Sequence, residues 1–307
     1  MSDVKDRSIS VIVYAPEECE ELQITMDSIK AQGPGPEICV IREGTWAEAM
    51  NKGLRQASGR WVLMLAEGQE LLRGALGRLL DTCTLQGSEL CISGYVKEGR
   101  LGKKETVRPV DRFTAEPELF LNACFQDVFD KGLFRICGNK LYDRELISKA
   151  GLSYREDMDE YAEMEFCFRY MRHCSNISLA GSALLRVKDE TVSRTDPEAC
   201  IRVIAAYNEL FDRLDVDDDV INDMNNRMLR LCADSIKRYY QSTQTTDTES
   251  LCMLTGMARH GELKELLAQS TPERAEDLVL RLLLKKGRVL PLHKLLMRLP
   301  KREDIVA

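Results

Sequence analysis

The stretch Ala49–Glu70, AMNKGLRQASGRWVLMLAEGQE, constrains the fold more than any other part of the chain, because two different periodicities meet in it across a turn. Ala49, Met50, Leu54 and Ala57 recur at the spacing of one helix face, Gly59 punctuates, and Trp61–Leu65 is an unbroken apolar run. A short run that is apolar on both faces belongs in the middle of a parallel sheet. The stretch therefore predicts a helix feeding a central strand of an α/β fold. In open α/β sheets ligands sit beyond the carboxyl ends of the strands, which puts Glu67 and Glu70 where a charged or metal-bearing ligand would be met.

The neighbouring segments extend the pattern. Ile9–Val13 reads as a buried strand, Leu22–Ala31 as a helix stopped by Gly33-Pro34-Gly35-Pro36, and Glu37–Ile41 as a second strand. With the helix over Ala49–Ala57 and the strand over Trp61–Leu65, these make a βαβαβ unit. Further on, the spacing predicts a helix over Leu71–Leu80, a strand over Glu89–Val96, a polar hairpin tip over Lys97–Lys104 and a helix over Phe113–Phe129. The four cations of the tip could meet phosphate or simply be solvated. Phe113, Phe120, Phe125 and Phe129 could form an acceptor platform or pack in the core. An acidic helix opens within Tyr154–Phe166, and Ile177–Leu179 and Ala183–Val187 read as closing strands. From Thr195 onward the periodicity is helical, with helices over Pro197–Leu214 and Val220–Tyr240 and a polar linker over Gln241–Ser250. The domains expected are an α/β domain over residues 1–190 and an all-helical domain over 191–307.

Four segments in order resemble the family-2 glycosyltransferases of the GT-A fold. Asn51-Lys52-Gly53-Leu54, Ala57, Gly59 and Trp61 with the strand behind them are similar to the family's central block. Ile9–Val13 with Leu22, Met26–Ile29 and Gln32 resembles its opening strand and helix, and Gly138–Ile147 (GNKLYDRELI) its "NKLFxRELI" segment. Gly151-Leu152 and the acidic block ending in Glu163 follow. The resemblance covers about the first 190 residues. It implies a mixed sheet flanked by helices, a nucleotide-sugar donor, and transfer of the sugar to an acceptor hydroxyl with inversion.

The resemblance also assigns residues. The family holds a divalent cation against the donor's diphosphate with an Asp-x-Asp motif, and here the aligned positions read Ala66, Glu67, Gly68 and Gln69. Glu67 and Glu70 are the oxygen ligands left for Mg²⁺ or Mn²⁺. Tyr14, Pro16, Glu43, Asn51 and Glu67 align with the donor-binding positions, although the turn after the second strand, Ile41–Thr45, carries Arg42 where the family has its first carboxylate. A third strand that the family inserts has no room between Thr45 and Asn51. Glu163 aligns with the base that takes the acceptor hydroxyl's proton. Acids at this position also complement a helix N-terminus. The alternative implied by the missing Asp residues is a non-catalytic relative that binds a glycan or supports a partner glycosyltransferase.

Composition narrows the remaining classes. A net charge of −7 argues against nucleic acid as a partner. The three His residues, at 173, 260 and 293, lie too far apart in sequence to suggest a catalytic triad or a His-based metal site. Eleven Cys with no Cys-x-x-Cys pair fit buried free thiols in a reducing compartment. The acidic turn Asp215–Asp219 is followed by Val220 where a calcium loop needs Gly, and calcium is rejected. No signal-like segment or membrane-length apolar run is read, so a cytoplasmic protein is expected.

Leu278–Arg302 stands apart, with eight Lys and Arg, ten Leu and no acid. It reads either as two ordinary helices broken near Gly287 and Pro291, or as a basic amphipathic surface lying at the inner face of a membrane, near a lipid-linked acceptor.

Overall fold

The computed structural model describes residues 7–99, 102–110, 112–158, 161–188, 196–242 and 246–301. Of the residues singled out in the sequence, Arg100, Leu101, Asp159, Glu160, Thr195, 243–245 and Arg302 lie outside the described residues. The chain divides into two compact units, Met1–Asp157 with Phe166–Asp189 and Met158–Glu165 with Glu190–Ala307.

The first unit is a nine-stranded mixed sheet flanked by helices, of GT-A type. Strands β1 (Ile9–Tyr14), β2 (Glu37–Ile41) and β3 (Trp61–Ala66) run parallel in the order β2-β1-β3, linked by helices α1 (Glu20–Lys30) and α2 (Trp46–Gln56). All five residues from Trp61 to Leu65 are buried. Each such side chain contributes about 1.5–3 kcal/mol on leaving water, which is why this run takes the sheet centre. Helix α2 begins earlier than its apolar spacing predicts because Thr45 and Glu48 form a capping box. No strand separates β2 from α2.

Beyond β3 the chain makes a two-residue strand, β4 (Glu70–Leu71), and only then helix α3 (Ala75–Gln86), so the helix expected over Leu71–Leu80 starts four residues late. Strand β5 (Leu90–Glu98) turns into β6 (Lys104–Val107) as the antiparallel hairpin expected. The Phe113–Phe129 segment is not one helix. Phe113 lies in β7 (Arg112–Ala115), paired with β9, and two short helices follow, α4 (Pro117–Ala123) and α5 (Phe125–Asp130). Pro117 ends the strand and opens the helix, and the Phe125 ring packs at 4.8 Å from Phe134 and 5.3 Å from Phe168.

Strand β8 (Lys140–Asp143) wedges antiparallel between β3 and β5. Asp143 then caps helix α6 (Arg144–Lys149), accepting the Glu145 and Leu146 amides, while its other oxygen takes Arg60 at 3.2 Å. Asn139 donates to the Ser93 and Leu133 carbonyls at 2.8 and 3.1 Å, locking the entry to β8. Helix α7 (Ala162–Met171) precedes β9 (Ile177–Lys188), a single strand where two were expected. Gly181 at φ 67° and register shifts against β5 absorb the irregularity. The sheet order is β2-β1-β3-β8-β5-β9-β4.

The second unit contains helices α8 (Pro197–Phe211), α9 (Asp218–Gln241), α10 (Asp247–Met257), α11 (Gly261–Gln269), α12 (Ala275–Lys285) and α13 (Val289–Leu296). His293 is buried between Tyr240 (2.8 Å) and Asp247 (2.9 Å), which joins α9, α10 and α13. The break in the basic segment falls at Gly287, φ 61°. Pro291 does not break it, because in the first turn of α13 its missing N–H is not needed. All eleven Cys are free, nine of them buried.

Candidate functional site

The parallel order β2-β1-β3 brings three strand exits side by side, with Tyr14 in register between Ile41 and Ala66. The Glu67 amide donates to the Tyr14 carbonyl and the Ala15 amide to the Ile41 carbonyl, both at 3.0 Å, so the three exits form one hydrogen-bonded rim.

Tyr14 crosses this rim. Its hydroxyl donates to the Gly44 carbonyl at 2.9 Å, and its ring meets the edge of Trp46 at 5.9 Å and 83°. Burial, and after it the carboxylates of Glu67 and Glu48, raise the phenol's pKa above its ordinary value. Pro16 is exposed in the turn that follows. Arg42 faces Glu18 and solvent, and Glu43 faces Lys52 at 3.1 Å. Trp46 was not singled out from the sequence. The Thr45-x-x-Glu48 capping signature was the available signal, since it places residue 46 at the first helical position over the rim.

Past β3, Gly68 takes φ 80°, and its amide donates to the Glu21 carbonyl at 3.1 Å. Gln69 is buried; its side-chain oxygen accepts the Ala66 amide at 3.2 Å and the Cys137 thiol at 3.3 Å, folding the turn back on itself. The two predicted acids are therefore placed differently. Glu67 is half-buried at the rim, where its carboxylate accepts the Cys19 thiol at 3.3 Å. Glu70 lies in β4 opposite Arg186 of β9 and forms an ion pair with it. Among the described residues no three His, Cys, Asp or Glu stand together as metal ligands. A divalent ion that arrives with a phosphate ligand needs only one or two protein carboxylates. Glu67 fits that need, and Glu70 is taken up by Arg186.

Asn51 does not face the rim. It is buried, and its amide is engaged with the main chain of Tyr154 and with Glu156. Glu163 is 5% exposed in the first turn of α7, and Glu165 is fully buried. A cavity of about 360 Å³ lies at the other end of the strands, between Arg7, Arg60, Trp61, Ser88, Glu89 and Asp143. That is the amino end of β3 and β5, away from where α/β sheets hold their ligands, and it is given no part in the site.

No family model and no curated protein sequence matches the chain. Solved structures do match. S. aureus TarS 1–349 in complex with UDP superposes with a TM-score of 0.63 at 13% identity, covering 92% of this chain and 91% of that one. The same TarS segment in complex with UDP-GlcNAc gives 0.66 at 13% identity, covering 94% and 90%. The longer TarS structure gives 0.62 at 15% identity, with 94% of this chain spanning 55% of that one. At such identities the likeness is one of fold, and it extends over nearly the whole chain.

Proposed function

We propose that the protein binds a nucleotide sugar at the exits of β1, β2 and β3 and transfers the sugar, with inversion, to a hydroxyl of a glycan or lipid-linked acceptor, as a family-2-like glycosyltransferase. The observation that carries this reading is the fold shared over more than nine-tenths of the chain with a protein whose structures hold UDP and UDP-GlcNAc. The rim supports it locally. Tyr14 and Trp46 offer an aromatic wall to a nucleobase at the β1 and β2 exits, and Glu67 stands on the neighbouring exit. A divalent ion held there would neutralise charge on the departing diphosphate. Glu67 would hold it, and Glu70 is assigned no share. Glu163 is the group proposed to receive the acceptor hydroxyl's proton as the glycosidic bond forms, a task that suits a carboxylate within hydrogen-bond reach.

The test is the melting temperature of the full chain titrated with UDP and UDP-GlcNAc, with and without Mn²⁺. Ligand at 100 times its dissociation constant stabilises the fold by about 2.7 kcal/mol, so binding is expected as a clear upward shift. No shift with any nucleotide overturns the reading and leaves the non-catalytic scaffold. Glu163→Gln is expected to retain the shift while turnover falls by about 10²- to 10⁴-fold; unchanged turnover removes Glu163 from the reaction.

A further inference from the structure

Helices α12 and α13 each bury one apolar face and expose a second. In α12, Leu280 and Leu284 are buried, whereas Leu278, Val279 and Leu282 are 38%, 41% and 41% exposed. In α13, Leu292 and Leu296 are buried and Leu290 and Leu295 are 51% and 47% exposed. Five of the eight exposed large apolar side chains among the described residues fall in this short stretch. A globular helix needs one apolar stripe, and a second one facing water is not explained by packing.

The cations follow the exposed leucines. Lys285, Lys286, Arg288, Lys294 and Arg298 are all exposed, and among the described residues none has an acidic partner. Residues 278–301 contain no Asp or Glu, in a chain whose net charge is −7. Leu278, Leu282 and Lys285 are spaced i, i+4, i+7, and Leu290 and Lys294 are i, i+4, so lysine shares the stripe with leucine on each helix. That placement selects the occupant. Lys is depleted from the cores of protein interfaces, and nucleic-acid phosphates have no use for leucine. At a bilayer surface both are satisfied, because leucine enters the acyl boundary while lysine stems run along it and carry their charge to anionic headgroups.

We propose that the exposed face of α12 and α13 seats this protein on an anionic lipid bilayer. The test is flotation of the full chain with vesicles of phosphatidylcholine alone and of phosphatidylcholine mixed with phosphatidylglycerol. Binding is expected only to the mixed vesicles, and it should weaken as salt rises toward the molar range, where screening shortens to about 3 Å. K285Q/K286Q should weaken it about thirtyfold, at roughly fivefold per cation, and L278S/L282S should weaken it without changing the charge. Because all four positions are exposed, melting temperatures should stay at the parent value, which keeps a binding loss distinct from unfolding. No flotation with mixed vesicles, equal flotation with both kinds, or variants that float like the parent would overturn the proposal. A concentration-dependent dimer abolished by L278S/L282S would also overturn it, assigning the face to a second copy of the chain.

Discussion

Asn51 holds Tyr154 by both of that residue's main-chain polar groups, accepting its amide at 2.8 Å and donating to its carbonyl at 2.9 Å. The side chain acts as a substitute strand edge for a loop that has none, tying α2 to the segment whose Tyr154 ring stacks on Phe166 at 4.1 Å. Asn51→Ala removes a hydrogen bond from each of two main-chain groups of the buried Tyr154, at about 1–3 kcal/mol each. A loss of about 2–4 kcal/mol in urea unfolding is expected, and a loss under 1 kcal/mol would show that the clamp is dispensable.

Glu37 ties β2 to the turn before β3. Its carboxylate accepts the Ser10 hydroxyl, the Ser58 amide at 2.8 Å and the Ser58 hydroxyl at 3.0 Å. The Ser10 hydroxyl first, and then the Ser58 amide, hold its pKa below the ordinary carboxylate value. A depressed folded pKa contributes stability above the unfolded pKa, and that contribution is lost as pH falls through the folded pKa. Glu37→Gln should therefore be less stable than the parent at neutral pH and converge with it on the acid side. Parallel stability curves from neutral to acid pH would contradict this.

Gly53 is where α2 crosses β1. A Cβ at this position would stand 2.2 Å from Cγ2 of the buried Ile12, so that side chain or the helix must shift to admit it. Gly53→Ala is expected to cost about 1–3 kcal/mol, the usual penalty of overpacking a tight core. Combined with Ile12→Ala the two losses should be less than additive, and additive losses would rule out the clash.

The Glu67 and Glu70 side chains separate the two metal assignments made from sequence. Glu67→Gln should abolish the Mn²⁺-dependent part of the nucleotide-induced melting shift. Glu70→Gln should leave it intact and lower stability by no more than about 1 kcal/mol, as befits a half-exposed ion pair. The reverse ranking in the same titration would move the ion to β4.

How much was legible depended on the range of the interaction that decides each element. Trp61–Leu65 could be read as the central strand because burial on both faces leaves its mark on every residue of the run. The NKLYDRELI segment could be placed because its Asp is a local cap, two and three residues from the amides it accepts. Phe113 could not be placed, since its strand exists only by pairing with Leu179, 66 positions further on.

The amino-acid sequence alone determined the βαβαβ order, the helical character of the second half and the position of a carboxylate just beyond β3, because these follow from local periodicity, caps and turns. Only the tertiary structure decided which carboxylates remain available. Glu70 is neutralised by Arg186, more than a hundred residues away, Gln69 is drawn inward to close its turn, and Asn51 is spent on Tyr154. Pairings of that range leave no periodic trace in a chain, since they are set by which strands the fold brings side by side.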